Sequence, residues 1–320
     1  MSLLFIIGIG VKLSLFLTLL GYGLQATLDD VLYLFRRPGQ LVRALLSINV
    51  IMAIFVALLI VIFDFNPVIE IALAALAISP VPPLLPNKAL KSGGEKSFTY
   101  GLLAAVSLLS ILTIPLILKI FEAIFEKRGE FSEMAVITTI LISVIVPLVI
   151  GMVIRYFAPA FSERVAGALG KFAMILLIVT FLPILVGLLP LMWSLIGNGT
   201  LPAIVAFALV GITVGHFLGG PDPQERTVLA LATSSRHPAI AITLASAGVA
   251  EKDAKLAAAA IVLYLLVSAI VATPYLAWLK DHDREKPAKN EESAMNFQDK
   301  EPPGAQISAQ KKFDEKQKKA

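Results

Sequence analysis

The chain has 320 residues, of which 57% are hydrophobic and 16% charged, with a formal net charge of +4 and a mean hydropathy of +0.83. So large an apolar share excludes a water-soluble globule, whose composition is roughly half apolar, and excludes a chain disordered throughout. There is no cysteine, which excludes a disulfide framework, a thiolate metal site and a thiol nucleophile.

Apolar runs of about 20 to 26 residues match a ~30 Å hydrocarbon core at 1.5 Å rise per residue, so the spans are helices, not barrel strands. The first covers about 2–27; its start, Met1-Ser2-Leu3-Leu4, has no basic n-region and no cleavage site, so we read it as a retained span. Further spans are expected at about 40–63, 67–92, 97–121, 133–157, 170–195, 201–220, 225–250 and 255–279, which makes nine. Proline breaks two of them. The third contains Ser79-Pro80-Val81-Pro82-Pro83-Leu84-Leu85-Pro86 and the eighth Thr233-Ser234-Ser235-Arg236-His237-Pro238. A proline inside a helix removes a backbone hydrogen bond, and lipid cannot satisfy the groups it frees. The helix-breaking Pro80, Pro82, Pro83, Pro86 and Pro238 therefore point to backbone that lines a cavity. After Lys280 the composition turns to Lys, Glu, Asp, Gln and Pro, which predicts a disordered, charged tail at 281–320 behind a carrier domain at 1–280.

The punctuation of the two halves runs in the same order. Pro38, Pro80, Glu95-Lys96 and Pro115 are echoed by Pro202, Pro238, Glu251-Lys252 and Pro274. A first repeat at 1–125 and a second at 130–280, opposite in orientation, form the pattern of an inverted-repeat carrier with its ligand near the midplane. With the N-terminus outside, nine Lys and Arg fall in inner loops and five in outer ones, among the latter Lys127 and Arg128; this places the C-terminus in the cytoplasm. No basic stripe with interleaved aromatics is present, so no nucleic-acid partner is expected.

An ionisable group at membrane depth costs ~2.5 to 3.5 kcal/mol on insertion scales and needs a partner or a wet cavity. Arg236 and His237 sit on the second break and Lys88 beside Asn87, whereas Asp64, Glu70, Glu95, Asp222, Glu225 and Glu251 fall at span ends, so no buried carboxylate is expected. A site walled by Arg236 suits an anion, because a guanidinium holds carboxylate, sulfonate or phosphate oxygens two at a time. The alternative is that Arg236 binds the carbonyls freed by Pro80 and Pro238 and rivets the breaks together. His237 is either a proton-coupling group or a hydrogen-bonded filler. Ser234, Ser235, Asn87, Asn49 and Thr243 complete the candidate substrate-binding set, with helix packing as the other reading of Asn49 and Thr243. Three scattered histidines with no neighbouring carboxylate or cysteine predict no metal site.

Five short motifs, Gly21-Tyr22-Gly23-Leu24, Arg36-Arg37-Pro38, Ser79-Pro80, Gly93-Gly94-Glu95 and Ala230-Leu231-Ala232, are similar in order and spacing to the bile acid:sodium symporter family. The family stands within the wider group of bile, arsenite and auxin-type carriers. The resemblance covers about residues 10–280 and implies an all-α fold in which a core domain with two crossing broken helices carries a panel domain that rocks against it. It also implies a nine-span member that lacks the first helix. Relatives place a Glu-x-x-x-Gln-Asn run at the second crossing, where the carboxylate and amide bind sodium; here those positions read Ser234, Pro238 and Ala239. What the resemblance leaves for an ion is Ser234, Asn87 and Thr99, a degenerate sodium site, and no resident cofactor is expected. The implied function is secondary transport of a small organic anion by alternating access, sodium-independent or proton-coupled, with no enzyme chemistry. A passive anion channel or uniporter, and a membrane-embedded sensor, are the alternatives. The partners implied are a small anionic substrate and the lipid bilayer.

Overall fold

The computed structural model describes residues 3–125, 133–197 and 199–298, and among them every regular element is a helix. Lys127, Arg128 and the tail from residue 299 lie outside the described residues. Among the described residues, seven helical runs are long and apolar enough to cross a membrane. They are α1 (Leu3–Gly23), the rod Pro38–Ile62, α7 (Lys96–Phe125), the rod ending at Phe157, α10 (Pro159–Ser194), α11 (Thr200–Leu218) and the apolar part of α14 (Ala254–Gln298). The first rod joins α3 (Pro38–Leu45) to α4 (Met52–Ile62) through a π-helical stretch, Leu46–Ile51; the second joins α8 (Glu133–Ile140) to α9 (Val146–Phe157) through Leu141–Ile145. A short helix, α2 (Leu28–Leu32), links α1 to the first rod.

The two proline-rich segments are each a pair of half-helices. The first pair is α5 (Pro67–Ile78) and α6 (Leu85–Lys91), the second α12 (Pro223–Thr233) and α13 (Pro238–Gly248). They begin alike. Asn66 caps α5 by accepting from the Val68 amide and is followed by Pro67; Asp222 caps α12 by accepting from the Gln224 amide and is followed by Pro223. They also break alike, because the residue before a proline is pushed out of the helical region. Ser79, before Pro80, has φ −67° and ψ 144°, and His237, before Pro238, has φ −73° and ψ 105°. Pro80, Pro82 and Pro83 lie in the non-helical stretch, whereas Pro86 and Pro238 sit in the first turns of α6 and α13, where a missing N–H costs nothing. Those two start half-helices rather than interrupt them. Gly93, at φ 81°, closes α6 in the left-handed conformation that favours glycine.

Small residues allow the close approaches that these short elements need. A Cβ on Gly215 would lie 2.5 Å from the Ala230 Cα, and one on Gly211 2.8 Å from the Ser234 Cα, so α11 runs along the backbone of α12 up to the second break. Gly23 and Gly151 bring α1 against α9 in the same way, and α1, α9 and α10 pack on one another. On the other side α5 packs against α13, and α12 against α6 and α7.

Three features differ from the sequence expectations. First, α10 starts at Pro159 rather than near residue 170, because a proline at the first helical position pre-sets φ and no further proline comes before Pro183. Second, the helix backbone of α14 continues to Gln298 into the expected tail, since extending an existing helix needs no new nucleus. The chain divides into two compact units, 1–272 and 273–320. Third, two carboxylates are buried: Asp30 is 7% and Glu225 4% exposed. The segment around α2 covers the first turns of α7 and α12. Glu225 accepts from Tyr33 at 2.8 Å and from Gln40 at 2.7 Å, with Arg37 at 3.7 Å, so a side chain at a span end is enclosed by protein.

Asp30 is held by Ser97, whose hydroxyl donates at 2.6 Å, by the Thr27 amide at 2.9 Å, and by Lys96 at 3.6 Å. Burial on its own would raise its pKa, but the hydrogen bonds from Ser97 and Thr27, with Lys96, outweigh burial and hold it below the usual carboxylate value. A carboxylate whose pKa is lower folded than unfolded stabilises fully above the unfolded value of about 4, and the contribution is lost as pH falls through the folded value. Thermal unfolding of Asp30→Asn should therefore show a smaller loss of midpoint between pH 6 and acid, about pH 3, than the parent protein.

Candidate functional site

The two breaks are bound to each other. The Pro80 carbonyl accepts from the His237 amide at 2.8 Å, and Arg236, with no exposed surface, reaches across to the first break. Its Nη1 donates to the Ser79 carbonyl at 3.2 Å and its Nη2 to the Ile48 carbonyl at 2.8 Å, in the π-helical stretch of the first rod. The guanidinium lies 5.4 Å from the centroid of the Phe207 ring.

These contacts follow from which N–H groups the prolines delete. In a helix the carbonyl of residue i accepts from the amide of residue i+4. Pro80 thus leaves the Leu76 carbonyl without its donor, and the carbonyls of Ser79 and Ser234, at the C-caps where α5 and α12 end, have no helical donor either. Each orphan has a side-chain replacement. The Ser79 hydroxyl donates to Leu76 at 2.9 Å, Arg236 to Ser79, and the Tyr264 hydroxyl to Ser234 at 2.7 Å. The Ser47 and Thr233 hydroxyls, 2.6 Å apart and buried, tie the π-helical stretch to the end of α12.

The structure brings Arg236, His237 and Ser234 together at the crossing and spreads the other candidates. His237 accepts the Ile240 amide at its Nδ1, capping α13, and its Nε2 has no partner among the described residues. Ser234 donates to the Leu231 carbonyl at 3.3 Å, and Ser235 is half-buried beside it. Asn49 donates to Thr113 of α7 at 2.8 Å; Thr243 donates to the Ala239 carbonyl at 2.9 Å, one turn back in its own helix. Thr99, fully buried, donates to the Glu95 carbonyl at 2.6 Å. Asn87 lies elsewhere.

Asn87 lines a cavity of about 580 Å³ among α1, α6, α7 and α10. Tyr22 comes from the end of α1 and Gln25 from the turn after it, Asn87 and Lys91 from α6, Tyr100 from α7 and Lys171 from α10, while Leu90, Met174 and Ile175 give it an apolar wall. Among the described residues the lining holds two lysines and no carboxylate. The Tyr22 and Tyr100 ring centroids are 6.1 Å apart, a tilted pair. Sequence reasoning did not pick out these lysines or tyrosines as site residues. Lys91 and Lys171 registered only as loop charges that set orientation, and Tyr22 only as a motif member. Their signal was present in the spacing, since Asn87 and Lys91 are i and i+4 on one helix face.

Membrane-length helices, two half-helix pairs bound at their breaks, and a cationic cavity beside one of them are the parts of a polytopic membrane transporter. The chain belongs to the sodium bile acid symporter family, whose model matches residues 12–189, more than half of its length. No curated protein matches it. It is an integral, multi-pass membrane protein of a family of transporters rather than enzymes. The matched stretch contains the first break and every residue lining the cavity; the second break lies beyond it.

Proposed function

We propose that this protein is a secondary carrier that moves a small organic anion across the membrane by alternating access. The observation that supports it most is the cavity of about 580 Å³ in which the charged lining groups, among the described residues, are Lys91 and Lys171. Its mixed wall of lysine, tyrosine, amide and aliphatic groups suits a ligand with an anionic head and an apolar body. Asn87, Lys91 and Lys171 contact the substrate, while Arg236, His237 and Ser234 hold the crossing. Asn49 and Thr243 serve packing, since their hydrogen bonds stay within the protein.

In this reading the two half-helix pairs complete nine spans, with the N-terminus outside and the C-terminus in the cytoplasm. The halves 1–125 and 130–280 are inverted repeats, a relation favoured by the matching Asn66-Pro67 and Asp222-Pro223 starts and by the matching breaks. The packed group of α1, α9 and α10 is the body that moves against the crossing. Because α1 and α10 form one wall of the cavity and α6 and α7 the other, that motion opens and closes it.

Uptake and counterflow of labelled cholate and labelled benzoate into proteoliposomes test the carrier. Lys91→Gln and Lys171→Gln should each raise KM about tenfold, the loss of about 1.4 kcal/mol of charge-assisted binding, with little change in kcat. Unchanged KM in both variants would remove the cavity from the reading. Unitary currents without counterflow would make the protein a channel.

A further inference from the structure

We infer that the Arg236 guanidinium stands in for a bound cation at the crossing of the two breaks, so that the carrier proposed above runs without sodium. The family's description names sodium, and the crossing is where proline-bared carbonyls would offer a hard cation its oxygens. Each of those oxygens already accepts a hydrogen bond from the protein, which leaves it one lone pair and no charge. Arg236 donates to the carbonyls of Ser79 and Ile48, Tyr264 to that of Ser234, the Ser79 hydroxyl to that of Leu76, and the His237 amide to that of Pro80.

The hydroxyls nearby are neutral oxygens and bring no negative charge to offset Arg236. Ser234 and Thr99 each donate to a backbone carbonyl of their own helix, and Ser47 and Thr233 bond each other. Asn87, the third oxygen donor left by the motif, faces the cavity instead. Among the described residues no group of three or more His, Asp or Glu side chains could hold a metal ion, and Arg236 has no carboxylate partner. A sodium ion placed there would meet a fixed positive charge where little water screens the repulsion. The residues present do not fit sodium, whereas they do fit a tethered cation. The protein carries its own positive charge at the crossing, on the second break and bonded to the Ser79 carbonyl of the first break and the Ile48 carbonyl of the first rod. The cation that elsewhere must bind and leave is here part of the chain, so substrate occupancy alone biases the carrier's two states.

The transport part of this inference rests on the carrier reading; the binding part does not, and the experiment separates them. For the purified full chain, saturable binding of labelled sodium and the unfolding midpoint in sodium chloride against choline chloride at equal ionic strength give the first readout. The expected result is no saturable sodium binding and no sodium-specific shift of midpoint. Saturable binding or a sodium-specific stabilisation overturns the inference. Arg236→Ala, which bares the Ser79 and Ile48 carbonyls, should gain a sodium-specific rise in midpoint, and Arg236→Lys, which keeps the charge, should not. A folded Arg236→Ala with no response to sodium also overturns it; if that variant does not fold, the parent protein's sodium binding decides alone. In proteoliposomes, cholate uptake should run at equal rates in sodium and choline, and uptake that requires sodium overturns the inference. Absence of uptake in both salts removes the carrier reading and leaves the sodium-binding result standing.

Discussion

Replacing Arg236 with methionine should destabilise the protein by about 2 to 6 kcal/mol and abolish transport, because it strips donors from two buried carbonyls without opening a large cavity. Each orphaned acceptor costs about 1 to 3 kcal/mol, and neither Ser79 nor Ile48 can turn to water at a site where Arg236 itself has no exposed surface. Methionine matches the length of the side chain closely enough that packing against Phe207 is largely kept. The loss therefore reports the hydrogen bonds rather than the volume. Lysine should fall between, since one ammonium can reach one carbonyl but lacks the planar fork that spans two. The unfolding midpoint in detergent measures the stability and proteoliposome uptake the activity. A methionine variant as stable as the parent would show that the two carbonyls find other donors, and the rivet formed by Arg236 would then carry little of the fold.

The sequence made the breaks legible because proline's chemistry is local: it lacks an N–H and constrains the residue before it, whatever surrounds it. Ser79-Pro80 and His237-Pro238 could thus be located without any partner in view. What satisfies the freed carbonyls could not. Tyr264 supplies the donor for Ser234 from 30 residues away, and Ile48 meets Arg236 across 188 residues. The rivet reading of Arg236 anticipates a bond to the first break, but neither segment encodes that the partners are Ser79 and Ile48, or that Tyr264 serves Ser234. Burial of Glu225 was hidden for a similar reason, because a span end normally faces water and here Tyr33, Gln40 and Arg37 fold over it. The cavity was the least legible part. Four helices build it, and its lysines are the same residues that a loop-charge count uses for orientation. A charge can serve topology and ligand at once, and only packing tells the two uses apart.

Gly215→Leu should abolish transport with a loss of stability of about 1 to 3 kcal/mol, the usual range for overpacking. The added Cβ would lie 2.5 Å from the Leu229 carbonyl oxygen and 2.5 Å from the Ala230 Cα, which are backbone atoms that no rotamer change can move aside. α12 must then back away from α11. Its C-terminal end carries Thr233 and Ser234, which Ser47 and Tyr264 hold at 2.6 and 2.7 Å, and hydrogen bonds of that length tolerate only a few tenths of an ångström. Retreat of α12 accordingly pulls the second break off the first, and the Arg236 contacts lengthen with it. The spacing of Gly211, Gly215 and Gly219, one every four residues along α11, is the small-residue pattern that sets this distance. Gly8→Ala in α1 is the comparison, since its Cβ meets nothing within 4 Å and alanine favours the helix by about 0.5 to 1 kcal/mol. If Gly215→Leu transports like the parent while Gly8→Ala behaves as stated, α11 does not set the position of the break, and the crossing is positioned by the hydrogen bonds of Arg236, Tyr264, His237 and Ser47.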